Sequence, residues 1–327
     1  MAAPPSGRRR IDHWLLGVSI CAAAAAQEPS FRATVPLVLV PVTVTDSKGR
    51  YVDGLQAADF QLLDNGTPRE IRLDAAEAVP APVALVIAVQ TNDLSAAALL
   101  KIRKTGAMIQ PLIAGERGHA AVVAYGDTVR MVQDFTADAS TIEAAFAGLR
   151  PEGSKARAID AVERACAMLG QRPRGERRVL LLIGESKDRG SESRLDAALL
   201  DVQRLGITVF AAGYSAWITP FTTRAGELPP GGAGGTNLLA ALSELARLGK
   251  TGASDALARE SGGRVFSFKT LHGLEELLAR VGEEVHSQYL LSAAAMTEPE
   301  GFHTIQVIVR TRTALVVHAR QGYWAVR

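Results

Sequence analysis

The sequence predicts an α/β fold with a doubly wound, mostly parallel sheet, inserted into a small β-sandwich-like domain formed by both chain ends. Three observations carry this. Residues 83–89 and 178–183 are apolar, β-branched or leucine-rich runs that stop at polar residues, as buried strands of a parallel sheet do. Between 83 and 285, strand-like and helix-like periodicities alternate. At both ends of the chain the pattern is the period-two alternation of half-buried strands.

At the amino end, residues 35–45 alternate (Val38, Val40, Val42, Val44), and Asp46-Ser47-Lys48-Gly49-Arg50 breaks the run as a turn. Residues 60–66 read as a strand entering an Asn65-Gly66 turn, a strong hairpin signal, with the return strand starting at 71–73. This unit is too short to be stable alone. A linker with Pro80 and Pro82 follows.

From Val83 the order is strand, helix, hairpin strands, helix, helix, strand, helix, strand, helix, strand, helix. Asp93 is placed to cap a helix running to about Ile113, with Leu94, Ala98, Ile102 and Met108 among its apolar positions. Strands follow at 119–125 and 128–135 around a Gly126-Asp127 turn, then helices to Leu149 and over 156–169. The strand at 178–183 ends at Gly184-Glu185-Ser186-Lys187-Asp188, a helix covers 195–205 and a strand 207–214. Residues 217–236 are a glycine- and proline-rich excursion without the Lys-Ser/Thr ending of a phosphate loop. Helices are expected at 238–248, 253–260 and 274–285, with a strand at 264–268. Three carboxy-terminal strands (289–293, 304–309, 315–319) then join the amino-terminal ones. The expected organisation is therefore 1–26 leader, 35–76 first part of the β domain, 82–287 α/β domain and 288–327 second part of the β domain.

The leader has the form of a secretory signal: Arg8-Arg9-Arg10, a small-residue apolar run over 14–26, and Ala24-Ala25-Ala26 as a cleavage site before Gln27. The run is shorter than the roughly 20 residues of a membrane span, so no transmembrane span is expected in the mature chain. Ile20 before Cys21 argues against a lipoprotein. The expected location is secreted or periplasmic. The whole chain carries a net charge of +2, and the leader accounts for it, which leaves no basic field for nucleic acid. Cys166, the one mature cysteine, repeats with Val162 and Leu169 on a helical face, where a buried structural thiol is expected.

No catalytic constellation emerges. There is no Gly-x-Ser-x-Gly elbow, Cys-x-x-Cys or His-Glu-x-x-His, and His119, His272, His286, His303 and His318 are scattered without metal spacing. His303 and His318 fall on neighbouring expected strands, where they could meet as a cross-strand pair. The chain is expected not to be an enzyme. An unrecognised catalytic site is the second alternative to the binding role set out below.

The element order, together with Val42-Thr43-Val44-Thr45-Asp46-Ser47-Lys48-Gly49-Arg50, Asp64-Asn65-Gly66-Thr67-Pro68, Asp188-Arg189-Gly190-Ser191 and Arg320-Gln321-Gly322-Tyr323-Trp324, resembles the von Willebrand factor type A domain, in particular VWFA-related proteins of an acidobacterial type. The resemblance implies a Rossmann-like fold whose carboxyl edge engages a partner. In metal-binding members, Asp-x-Ser-x-Ser, a threonine and a second aspartate hold Mg²⁺ there. Laid on this chain, those positions fall at Ala88, Gln90 and Asn92, near Ala156 (with Ser154 as a shifted substitute), and at Glu185. One carboxylate remains, so the adhesion site is degenerate and no cofactor is expected. Glu185, Asn92 and Ser154 are the weak metal candidates, with Asp93 or Asp188 as extra oxygens. An Mg²⁺-dependent adhesion module around Glu185 is the first alternative. The expected function is an exported, non-catalytic module that binds a protein or cell-envelope component. Its expected contact residues are Gln90, Thr91, Asn92, Asp93, Ser154, Glu185, Ser186, the Gly126-Asp127 turn, and Trp217 and Phe221 as aromatic anchors.

Overall fold

The computed structural model describes residues 37–74, 81–173, 175–214, 252–294, 301–310 and 315–325. Its centre is a six-stranded sheet in the order β10-β9-β8-β5-β6-β7, formed by β5 (Val83–Gln90), β6 (His119–Tyr125), β7 (Val129–Thr136), β8 (Arg177–Gly184), β9 (Ile207–Gly213) and β10 (Val265–Ser267). Every pairing in it is parallel except β6 with β7, as the tight Gly126-Asp127 connection requires.

All eight residues of β5 are buried because helices cover both faces. Val83, Leu85, Ile87 and Val89 face one core, with α1 (Ala96–Ile102), α2 (Gly106–Ile109), α3 (Ala139–Gly148) and α7 (Leu271–Ser287). Ala84, Val86 and Ala88 face the other, with α4 (Ala158–Gly170), α5 (Leu195–Leu205) and α6 (Ala253–Glu260). The strand period of two thus divides one apolar run between two cores. Cys166 lies in the second, and burial pushes its thiol up to about 12.

The helix expected from Asp93 to Ile113 is broken. Asn92, not Asp93, caps a single 3-10 turn, Asp93–Ser95, before α1. After α2 the chain widens into a π turn, Gln110–Ala114, with Pro111 near its start. Proline lacks the N–H that would continue the α ladder, which accounts for the change of winding.

Both chain ends supply two four-stranded sheets. One has the order β13-β1-β11-β4, from β1 (Leu37–Thr45), β4 (Ile71–Asp74), β11 (Tyr289–Ala294) and β13 (Val316–Ala319). The other has the order β14-β12-β2-β3, from β2 (Phe60–Asp64), β3 (Thr67–Arg69), β12 (Gly301–Val309) and β14 (Gly322–Ala325). They share an apolar cluster that includes Val40, Val42, Phe60, Leu62, Leu291 and Tyr323. The hairpin return differs from expectation. β3 pairs with β2, and after Glu70 the chain crosses to the other sheet, where Ile71–Asp74 pairs with β11. A fourth carboxy-terminal strand, β14, adds to the three expected.

His303 and His318 do not pair with each other. His303 Nδ1 lies 2.7 Å from Asp64 Oδ1 in the β2/β12/β14 sheet, and Tyr323 Oη donates to Asp64 Oδ2 at 2.7 Å. His318 is on β13, opposite Thr43 of β1. Glu284 of α7 joins the two layers: Thr43 Oγ1 donates to it at 3.3 Å and Arg264 pairs with it at 3.3 Å. Among the described residues, no helix is long and apolar enough to cross a membrane.

Candidate functional site at the carboxyl edge of the parallel sheet

Ligands of open α/β sheets bind outside the carboxyl ends of the strands, where the strand order reverses. Here that point lies between β5 and β8, so the residues after Gln90 and after Gly184 face one another.

Gln90 closes this point from within. Its side chain is fully buried, its Nε2 donates to Asn92 Oδ1 at 2.8 Å, and its Oε1 accepts the Glu185 backbone N–H at 2.8 Å. Asn92 Oδ1 also accepts the Ser95 N–H at 3.1 Å, which caps the 3-10 turn, and Ser95 Oγ donates back to the Asn92 carbonyl at 2.6 Å. Thr91 is buried too. Its N–H donates to the Tyr125 carbonyl at 2.8 Å and its carbonyl accepts the Glu152 N–H. An amide carries both donors and an acceptor, so one glutamine can join two strand ends with no third component.

Gly184 is part of this closure. A Cβ there would lie 2.1 Å from Tyr125 Oη and 2.7 Å from Gln90 Oε1, so only glycine admits both side chains. The Tyr125 hydroxyl is buried with no hydrogen-bond partner among the described residues, and so are those of Ser186 and Ser254. Burial pushes the Tyr125 phenol well above its ordinary value, so it stays protonated.

The neighbouring loops are tied down in a similar way. Asp127 Oδ1 accepts the Ser154 N–H at 2.9 Å and the Lys155 N–H at 2.8 Å. The Lys155 N–H is the main cause holding this carboxyl below its ordinary value. Gly153, at φ +69°, is required here because a Cβ would sit 2.1 Å from the Asp127 carboxylate. Asp188 Oδ1 caps the start of α4 through the Ile159 N–H at 3.1 Å and accepts from Ser191 Oγ at 2.6 Å, while its Oδ2 takes the Ser191 N–H at 3.3 Å. Glu185 Oε2 pairs with Arg189 at 3.1 Å, and the carboxylate is 11% exposed.

The expected contact residues therefore separate. Gln90, Thr91 and Asn92, expected to face a partner, are at most 1% exposed and hold the edge together instead of facing solvent. The correction has a physical reason: a polar residue at a strand end can satisfy its neighbours as readily as face solvent. Glu185 and Ser186 are half-buried, whereas Asp93 and Ser154 are exposed and adjacent, joined by the Asp93 N–H donating to the Gly153 carbonyl at 2.8 Å. Trp217 and Phe221 lie outside the described residues. Leu94, expected on an apolar helical face, is instead 42% exposed beside Asp93. Its position in the middle of the short turn that Asn92 caps is the signal that would have found it.

These residues do not fit a Mg²⁺ ion. Ala88 is buried and offers no oxygen, the Gln90 and Asn92 oxygens are spent on N–H donors, Asp188 is engaged through both oxygens, and Glu185 faces Arg189. A hard cation needs several oxygens free to converge on it. Among the described residues, no group of three or more His, Cys, Asp or Glu is placed to hold a metal.

No family model and no curated protein sequence matches the chain. Solved structures do match. A von Willebrand factor type A protein from Catenulispora acidiphila is 11% identical, with 91% of this chain and 76% of that one covered at a TM-score of 0.47. BatB from Bacteroides thetaiotaomicron is 14% identical, covering 62% and 98% at 0.44. The vWF domain of the type V pili tip protein Mfa5 from Porphyromonas gingivalis is 11% identical, covering 64% and 96% at 0.43. Two of these three structures are named as von Willebrand factor domains or proteins, and each of the three matches at a TM-score below 0.5.

Proposed function

We propose that the chain is an exported, non-catalytic binding module that engages a protein or cell-envelope component through the carboxyl edge of its parallel sheet, without a metal ion. The observation that carries this reading is the Gln90 bridge: its amide joins Asn92 to the Glu185 backbone at the point where a bound ion would have to be coordinated. What the edge offers a partner is a rim of exposed groups, Asp93, Leu94, Ser154, Lys155 and Lys187, set on loops anchored by Asp127 and Asp188. An exposed leucine among mixed charges on a fixed backbone suits protein contact. The absence of a nucleophile–base pair in the motifs supports a non-catalytic role, and the signal-like leader supports export with cleavage before Gln27.

A photo-crosslinking residue placed singly at Asp93, Ser154 or Glu116 in the producing cell tests the reading. Glu116 is exposed three residues before β6, at the opposite edge of the sheet. Crosslinks to a partner are expected from Asp93 and Ser154, undiminished by chelator, and not from Glu116. Crosslinks that need Mg²⁺ or Mn²⁺, or that come equally from all three sites, would overturn the reading. Amino-terminal sequencing of the mature protein checks export, with Gln27 expected first.

A further inference from the structure

The opposite edge of the same sheet holds a cavity of about 290 Å³, where the start of β8 and the end of α5 meet β1, β11 and β14. This is near the lower end of the range for small-molecule sites. One wall is apolar, with Val38, Leu39, Leu290 and Trp324. Arg178, Arg204 and Arg320 also line the cavity, and its carboxylate, Glu176, is already paired with Arg172 at 2.7 Å.

Arg320 is the telling residue. It is 7% exposed, and its guanidinium donates only to backbone carbonyls: Nε to Gly322 at 2.8 Å, Nη1 to Leu39 at 3.4 Å and Nη2 to Gln203. Among the described residues no carboxylate pairs with it. Five N–H donors with three carbonyl partners leave one on each terminal nitrogen. Burial lowers its pKa only to about 10, so the group is a cation at neutral pH. A buried cation that lines a cavity and has no carboxylate among its bonds suits an anion, because a carboxylate supplies both acceptor oxygens and the compensating charge. The Gln203 carbonyl belongs to the last turn of α5, and Arg178 donates to Leu205 there at 3.0 Å. Capping of helix ends explains those bonds, but not the spare donors or the apolar wall beside them.

We infer that this cavity is a binding site for a small organic monocarboxylate with an apolar body, its carboxylate on Arg320 and its chain or ring against Leu39, Leu290 and Trp324. The site lies at the other edge of the sheet from the proposed partner surface and does not depend on it.

Octanoate is a suitable probe, with octanol as its uncharged counterpart. Each is titrated into the full mature chain by calorimetry, and by Trp324 fluorescence in a Trp217→Phe background. Saturable one-to-one binding of octanoate is expected, at least tenfold tighter than octanol. Arg320→Met should remove that preference. Because Arg320 also holds three carbonyls, Leu39→Trp provides a second variant that fills the apolar wall from a half-buried strand position. It should abolish octanoate binding while the circular dichroism spectrum is retained. Equal affinity for octanoate and octanol, no saturable binding by the full mature chain, or binding unchanged in Leu39→Trp would overturn the inference.

Discussion

The two edges of the parallel sheet solve opposite problems. At the carboxyl edge, where α/β proteins usually hold their ligands, the strand ends carry amides that satisfy one another. Gln90, Asn92 and the Glu185 backbone form a closed set, and Gly184 leaves just enough space for it. At the amino edge, a buried arginine makes carbonyl contacts beside an apolar wall and keeps donors in hand. The difference teaches that position in a fold gives only a first guess at where a ligand sits. Whether the polar groups are already satisfied decides what an edge can still bind.

Gly184→Ala is the harshest way to break the carboxyl edge. Its Cβ would meet the Tyr125 hydroxyl, and a loss of about 2 to 3 kcal/mol is expected in urea denaturation. Tyr125→Phe alone should be nearly neutral, since its hydroxyl has no partner among the described residues to lose. Combined with Gly184→Ala it should recover much of the loss, a coupling of about 1 kcal/mol or more in a double-mutant cycle.

Gln90→Ala comes next. It leaves the Glu185 N–H without its acceptor and removes the donor to Asn92, at a cost of about 2 kcal/mol. If the loss were negligible, the bridge would not be what closes the edge.

A smaller, pH-dependent effect belongs to Asp127. The Lys155 and Ser154 N–H groups hold its folded pKa below the ordinary value of 3.8, so its contribution is fully present above that value and is lost as pH falls through the folded pKa. Asp127→Asn should therefore melt below the parent chain at neutral pH, and the two melting temperatures should converge at acid pH below both pKa values. A gap that persists there would mean that the loop is held by something other than this charge.

Much of the fold was legible in the residues. The apolar runs that became β5 and β8, the Asn65-Gly66 hairpin and the amphipathic α4 and α5 follow from periodicity and turn chemistry alone. The break of the first helix was not, because Leu94, Ala98, Ile102 and Met108 keep helical spacing across the Arg103–Thr105 interruption and the π turn. Nor was the crossing of the chain between sheets at Glu70, which depends on pairing with β11 more than 200 residues away. At the candidate site the residue types indicated that a metal motif had lost its acids, but not that Gln90 and Asn92 would turn inward. That depends on Gly184 and Tyr125 meeting them from two other strands. In the sequence Arg320 stands out only as part of a terminal motif, since its burial is made by α5 and β1 together.

The central claim, that the carboxyl edge is closed by its own hydrogen bonds and works without an ion, is tested most directly by titrating Mn²⁺ and Mg²⁺ into the isotopically labelled mature protein and following the backbone amides of Gln90 to Asp93 and Glu185 to Asp188. The account predicts no saturable shift with Mg²⁺ and no site-specific broadening with Mn²⁺ at these amides. A saturable response confined to them and abolished by Glu185→Gln would contradict it.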